Sequence, residues 1–163
     1  MGCLFHVSHR YPYRAGANRV DRLAGILQHG LVAPGCCMDG SVRSDLLIQA
    51  DGLVPPYDSL VFLHRYGKQS WLYTVAEPGR FFVFIDPEFP VLTQSDMGRA
   101  WPVLCQDEVY VRERIPLQHL IGVVVHEADV ETIVRDLSSH FLRSGIPLYD
   151  LDGAPLLEVR ERP

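Results

Sequence analysis

Six short strand-like runs with only two clear helical stretches among them constrain this chain more than any other feature of its sequence. The runs are Leu4 to Ser8, Ser59 to His64, Trp71 to Val75, Phe81 to Ile85, Glu108 to Arg112 and Ile121 to Val125, all rich in β-branched and aromatic residues. Turn signals at Tyr66-Gly67, Pro78-Gly79 and Asp86-Pro87 punctuate them. A first helix is predicted from about Arg19 to His29, with Val20, Leu23 and Leu27 on one stripe, Asn18 as N-cap and Gly30 as terminator. A second runs from about Ala128 to Leu142, where Val130, Ile133, Val134, Leu137 and Phe141 recur at helical spacing before Gly145 and Pro147. Residues 33 to 58 read mostly as loop, with a short helix around Ser44 to Gln49, and the tail from Pro147 to Arg160 supplies a final short strand or a docked extension. Strands and helices do not alternate as they would in a doubly wound parallel sheet. The expected class is therefore α+β, a mainly antiparallel, split sheet with helices packed against it.

Length and composition bound the rest. The 163 residues suit one domain spanning residues 1–163. With 47% hydrophobic and 21% charged residues the chain has enough apolar surface to fold, which excludes the disordered classes. No apolar run reaches the roughly 18 residues of a membrane span, and the N-terminus lacks a secretory signal's basic start and long apolar core. A soluble, cytoplasmic protein with no membrane partner is the expectation. Among the four cysteines, Cys36 and Cys37 are adjacent while Cys3 and Cys105 stand alone, so no metal-knuckle spacing appears. Reduced, structural thiols and no bound metal are expected, with a site built on Cys36, Cys37 and a histidine as the alternative.

The net charge of −5 conceals an asymmetry: residues 1–80 hold eight basic and six acidic side chains, residues 81–163 seven and fourteen. Lys68 is the only lysine, and Arg10, Arg14, Arg19 and Arg22 crowd one stretch. Arginine forks suit bidentate phosphate contacts, so this stretch reads either as an anion site or as a solvated surface. The overall acidity argues against a strong, sequence-independent grip on duplex nucleic acid.

Several chemistries are excluded by missing motifs. Neither GxGxxG after a strand nor GxxxxGK[ST] is present, and GxSxG and HExxH are missing too. What remains is a dispersed set. His6 and Ser8 are two apart on one strand and share a face, where they either hydrogen-bond one ligand or line a solvent side. His9 and Arg10 follow at that strand's end. Glu108 opens its strand, and a carboxylate at a strand mouth can act as a general base or stabilise a cationic transition state; the other reading is an edge-strand acid. Tyr73 either stacks on a flat ring or belongs to the core. Arg43 and Arg65 each sit beside a predicted element, where either could bind a pyrophosphate or orient a substrate.

Taken in order, Phe5-His6-Val7-Ser8, then Ala24-Gly25-Ile26-Leu27-Gln28-His29-Gly30-Leu31, then Leu72-Tyr73, then Gln106-Asp107-Glu108, these segments resemble the ADP-ribosyltransferase fold. That family carries a first-strand histidine followed by Thr or Ser, a helix ending in an ILxxGL turn, a mid-strand tyrosine and a late-strand glutamate. Within it the chain is most similar to DarT-type DNA ADP-ribosyltransferase toxins, through Ser59 to His64, Ser70 to Tyr73, Cys105 to Val111, Ile115-Pro116 and Leu120-Ile121. The likeness covers roughly residues 4 to 125 as scattered short matches. It implies that His6 and Ser8 hold NAD, that Tyr73 packs near the nicotinamide, that Glu108 is the catalytic acidic residue and that Arg43 is the nearest match to the catalytic arginine. Arg65 is a further cofactor-binding candidate.

The implied function is an NAD-dependent ADP-ribosyltransferase acting on a nucleic-acid base or a protein side chain, as a toxin or defence effector held in check by an antitoxin or inhibitor protein. NAD is then a co-substrate. Two alternatives stand beside it: an NAD-dependent RNA 2′-phosphotransferase, and a non-catalytic domain that binds a nucleotide or a partner without consuming NAD.

Overall fold

The computed structural model describes residues 4–8, 19–33, 59–65, 78–79, 81–98 and 108–157. In chain order they form β1 (Leu4–Ser8), α1 (Arg19–His29), β2 (Leu31–Val32), β3 (Leu60–Arg65), β4 (Phe81–Ile85), α2 (Gln94–Met97), β5 (Glu108–Arg112), β6 (Arg114–Ile115), β7 (Leu120–Val125), α3 (Val130–Ser144), β8 (Leu148–Tyr149) and β9 (Pro155–Leu157). Seven strands make one sheet in the order β5-β3-β1-β4-β7-β8-β9, and β2 pairs with β6 in a separate ribbon. The pairs are antiparallel except β7 with β8. A parallel pair needs a crossover of a dozen or more residues, and α3 supplies it. The expected α+β class, rich in antiparallel pairing, is what the described residues form.

Alternation along the strands sorts the sheet into two unlike faces. Val61, Leu63, Val83, Ile85, Val109, Val111, Val123 and Val125 pack in one core with Leu23, Ile26 and Leu27 of α1 and Ile133, Leu137 and Phe141 of α3. Both helices present the apolar stripe that their sequence spacing predicts. The residues between, Phe62, Phe82, Phe84, Tyr110 and Val124, fall on the opposite face. Phe62 meets Tyr110 edge-to-face with ring centroids 5.5 Å apart, and Phe82 and Phe84 lie at 6.2 Å.

Two glycines end the helices as the sequence predicts. Gly30 (φ 81°) donates its N–H to the Ile26 carbonyl (2.9 Å), and Gly145 (φ 67°) donates to that of Phe141 (2.9 Å). From Gly30 the chain passes into β2, which pairs with β6 through Leu31 opposite Ile115. Glu113, between β5 and β6, holds φ at 63°, a conformation that disfavours side chains by about 1 kcal/mol. Its N–H donates to the Ser59 carbonyl (2.8 Å) and its own carbonyl accepts from Ala33 N–H (2.7 Å), so this turn hands the strand from the main sheet to the ribbon.

Some boundaries differ from the sequence expectation. The second long helix begins at Val130 rather than Ala128, because Glu127–Asp129 forms a 3₁₀ turn and the Asp129 carboxylate accepts a hydrogen bond from the Gly79 N–H. It continues to Ser144, whose hydroxyl donates to the Phe141 carbonyl (3.0 Å). The strand expected at Ser59 to His64 runs one residue later, at Leu60–Arg65. Neither the β2–β6 ribbon nor α2 is signalled by composition, since both are too short to carry a period. The expected strand Trp71 to Val75, the helix Ser44 to Gln49 and the cap Asn18 lie outside the described residues. No helix among the described residues is long and apolar enough to cross a membrane.

The two glycines of the helix α1 segment should respond oppositely to alanine. A Cβ at Gly30 would overlap the Ile115 carbonyl oxygen and crowd the Pro116–Leu117 peptide, on top of its positive φ. Nothing lies within 4 Å of a Cβ at Gly25. Urea unfolding is expected to show Gly30→Ala destabilised by about 2 kcal/mol or more. Gly25→Ala should be stabilised by about 0.5–1 kcal/mol.

Candidate active site

A carboxylate at the first residue of a strand sits where the ladder begins, and Glu108 is placed in this way. It opens β5, the terminal strand of the sheet that the described residues form, and is half-buried. Burial pushes its carboxyl pKa up from the ordinary glutamate range, and a hydrogen bond from the Tyr110 hydroxyl works in the opposite direction without cancelling the effect. Tyr110 follows two residues later on the same face, fully buried, its ring held against Phe62. Its backbone is pinned from outside the sheet: Tyr110 N–H donates to the Leu92 carbonyl (2.8 Å) and Leu92 N–H to the Tyr110 carbonyl (2.7 Å). A Thr93–Asp96 capping contact closes the segment after Leu92, with Asp96 accepting from the Thr93 N–H (2.7 Å) and hydroxyl (2.8 Å).

Register shows which positions share this neighbourhood. Glu108 is opposite His64 of β3, His64 is opposite Phe5 of β1, Phe5 is opposite Phe84 of β4, and Phe84 is opposite Gly122 of β7. One row of residues therefore crosses five strands with the glutamate at its end. Gly122 is bare where the Tyr149 ring approaches, a Cβ there lying 3.1 Å from Tyr149 Cε2. Arg65 is the next residue of β3, opposite Leu4, at the same end of the sheet.

The predicted site residues are distributed as follows. Glu108 and Arg65 come to the same end of neighbouring strands. His6 and Ser8 lie on β1, but position 6 is opposite Val83 and position 8 opposite Phe81, so both fall in the rows that alternate with the Glu108 row. Position 8 is also three residues, about 10 Å, along the strand from that row. Arg43, Tyr73, Arg10, Arg14, Cys36 and Cys37 lie outside the described residues.

A second polar cluster occupies the same end of the sheet, at β4 and β7. Asp86 follows β4 and His119 precedes β7; His119 Nδ1 is 3.7 Å from Asp86 Oδ2, and the Asp86 N–H donates to the His119 carbonyl (2.9 Å). Phe89 packs edge-on to the imidazole with centroids 4.8 Å apart. Among the described residues no group of three or more His, Cys, Asp or Glu side chains could hold a metal ion.

Sequence reasoning singled out Glu108 but neither Tyr110 nor His64. Tyr110 was readable from the two-residue period, which puts positions 108 and 110 on one face. His64 was not, because its place opposite Glu108 depends on β3 pairing with β5 across more than forty intervening residues. No protein-family model matches the chain, and no curated protein or solved structure matches it.

The raised pKa has a consequence for stability. In the folded protein Glu108 holds its proton to higher pH than in the unfolded chain, where a glutamate titrates at about 4.5. Between those two midpoints the folded state binds more protons, so this group's contribution to stability falls as pH rises. Glu108→Gln is therefore expected to gain stability relative to wild type as pH rises above the unfolded midpoint, measured as the difference in urea midpoints. Tyr110→Phe removes the hydrogen bond to the carboxylate and should raise the Glu108 midpoint further in a carboxyl-selective NMR titration.

Proposed function

We propose that this protein is an NAD-dependent ADP-ribosyltransferase of the DarT-like kind, with an ADP-ribosyltransferase-like split sheet, acting in the cytoplasm on a nucleic-acid base or a protein side chain. The observation that supports this reading is the Glu108 carboxylate: half-buried at the mouth of a strand, raised in pKa and held by the Tyr110 hydroxyl. A desolvated carboxylate is a stronger base and exerts a stronger field on a nearby cation than one in water.

Breaking the bond between nicotinamide and ribose suits such a group. The pyridinium departs as a neutral ring and needs no acid, while positive charge develops on the ribose. Glu108 would stabilise that charge, hold a ribose hydroxyl and accept the proton of the incoming nucleophile. In this reading NAD is a co-substrate held by His6 and Ser8 from β1 and by Arg65 from β3, with Tyr73 beside the nicotinamide and Arg43 as the catalytic arginine. No metal takes part. Because positions 6 and 8 alternate with the Glu108 row, a dinucleotide that meets both must pass over the end of the strands. A transferase of this type needs restraint, so an antitoxin or inhibitor protein is its expected partner.

Nicotinamide release from labelled NAD tests the reading, with DNA, RNA and cell protein supplied in separate tubes. Wild type should release nicotinamide and leave label on one polymer, and Glu108→Gln should reduce turnover by about 100-fold or more while staying folded. If the folded wild-type protein releases nothing in any tube, the transferase reading is wrong. Full turnover and NAD affinity in His6→Ala would remove the β1 histidine from the site and confine the ligand to the Glu108 side.

A further inference from the structure

The pairing of β3 with β5 sets two titratable residues opposite one another, and the transferase reading uses only one of them. His64 and Glu108 are direct partners in the antiparallel ladder. Direct partners on one face have Cβ atoms about 4.5–5.5 Å apart, the closest approach that two strands offer. On β3 the next residue, Arg65, belongs to the alternate row, and on β1 the residue facing position 64 is Phe5, which carries no charge. On β5 the groups of the same parity are Tyr110, already bonded to Glu108, and Arg112, four residues along. His6 of β1 is opposite Val83, in the alternate row. Position 64 is thus the nearest titratable place in register to the carboxylate among the described residues.

We infer that His64 is a further functional residue of the Glu108 site, a cross-strand proton partner that returns the carboxylate to its ionised form. The inference rests on the transferase reading for its catalytic step. In that step the bond from ribose C1′ to the nicotinamide nitrogen breaks and its electron pair leaves with the nicotinamide. The acceptor's nucleophilic atom bonds to C1′, and its proton passes to the Glu108 carboxylate. The proton then moves to the His64 imidazole and on to solvent. An imidazole exchanges protons readily near neutral pH, which suits it to pass a proton between a carboxylate and solvent. A carboxylate that burial makes reluctant to ionise gains most from such a neighbour. The two groups then titrate as a pair, with midpoints that belong to the pair rather than to either residue.

Histidine NMR of the full chain tests the coupling without reference to activity. The His64 signal is assigned by its loss in His64→Gln, and its titration midpoint is compared between wild type and Glu108→Gln. The carboxylate should hold the wild-type midpoint higher by about half a pH unit or more. Equal midpoints would overturn the inference while leaving the transferase reading to stand on the Glu108 result. Where nicotinamide is released, His64→Gln should lower kcat by about 10-fold or more and shift the acidic limb of the pH profile, with KM for NAD unchanged. An unchanged kcat and profile would also overturn it. Should wild type release no nicotinamide, the transferase reading and the proton-return step fail together, whatever the NMR midpoints are. If His64→Gln does not fold, His64→Tyr serves for the assignment, and the comparison between wild type and Glu108→Gln is unaffected.

Discussion

The antiparallel register between β3 and β5 is the constraint on which the candidate site depends. Side chains alternate across a strand, so a slip of one residue would carry Glu108 to the helix-covered face beside Leu63 and turn Val109 and Val111 out of the core. Exposing two valines and desolvating a carboxylate together cost more than any local gain from the slipped pairing. Two features outside the ladder hold the register. The Leu92–Tyr110 bridge grips β5 along its outer edge, and the left-handed turn at Glu113 ties its end to Ser59 and Ala33.

With the register set, the two faces of the sheet acquire different work. The face packed by α1 and α3 is aliphatic and closes the core that supports the fold. The other face is aromatic and ends in the glutamate. Tyr110 joins the two roles: its ring is fully buried against Phe62, while its hydroxyl reaches Glu108. A rigid phenol beside a half-buried carboxylate keeps that carboxylate in one place, which a base needs in order to meet its proton at hydrogen-bond distance. Desolvation makes the same group a better base and a worse contributor to stability. Such opposition between stability and chemistry recurs at functional sites, and it is the physical support for proposing transfer chemistry at this end of the sheet.

Several polar residues fall at the strand mouths along that end. Glu108, position 64, Arg65, Asp86 and His119 all belong to it, supplied by β5, β3 and the flanks of β4 and β7. Asp86 and His119 are tied to each other by backbone and side chain and braced by Phe89, so they also clasp β4 to β7 where the register between those strands shifts at Phe84/Ile85.

The sequence by itself determined the local elements of this protein, and the tertiary structure decided which of them meet. Helix α1 and strands β1, β4 and β5 have the limits their patterns predict, because a helical stripe, a two-residue alternation and a terminal glycine are all read within a dozen residues. Glu108 was legible as a candidate from its place at a strand mouth, and Tyr110 could have been from the same alternation. The start of α3 was not legible, since it depends on Asp129 bonding to Gly79, fifty residues away. Nor were the partnership of Glu108 with position 64 and the separate row of positions 6 and 8, which no local pattern encodes. Strand order and register are settled by the burial of one whole face at once, and that choice exists only when distant segments are brought together.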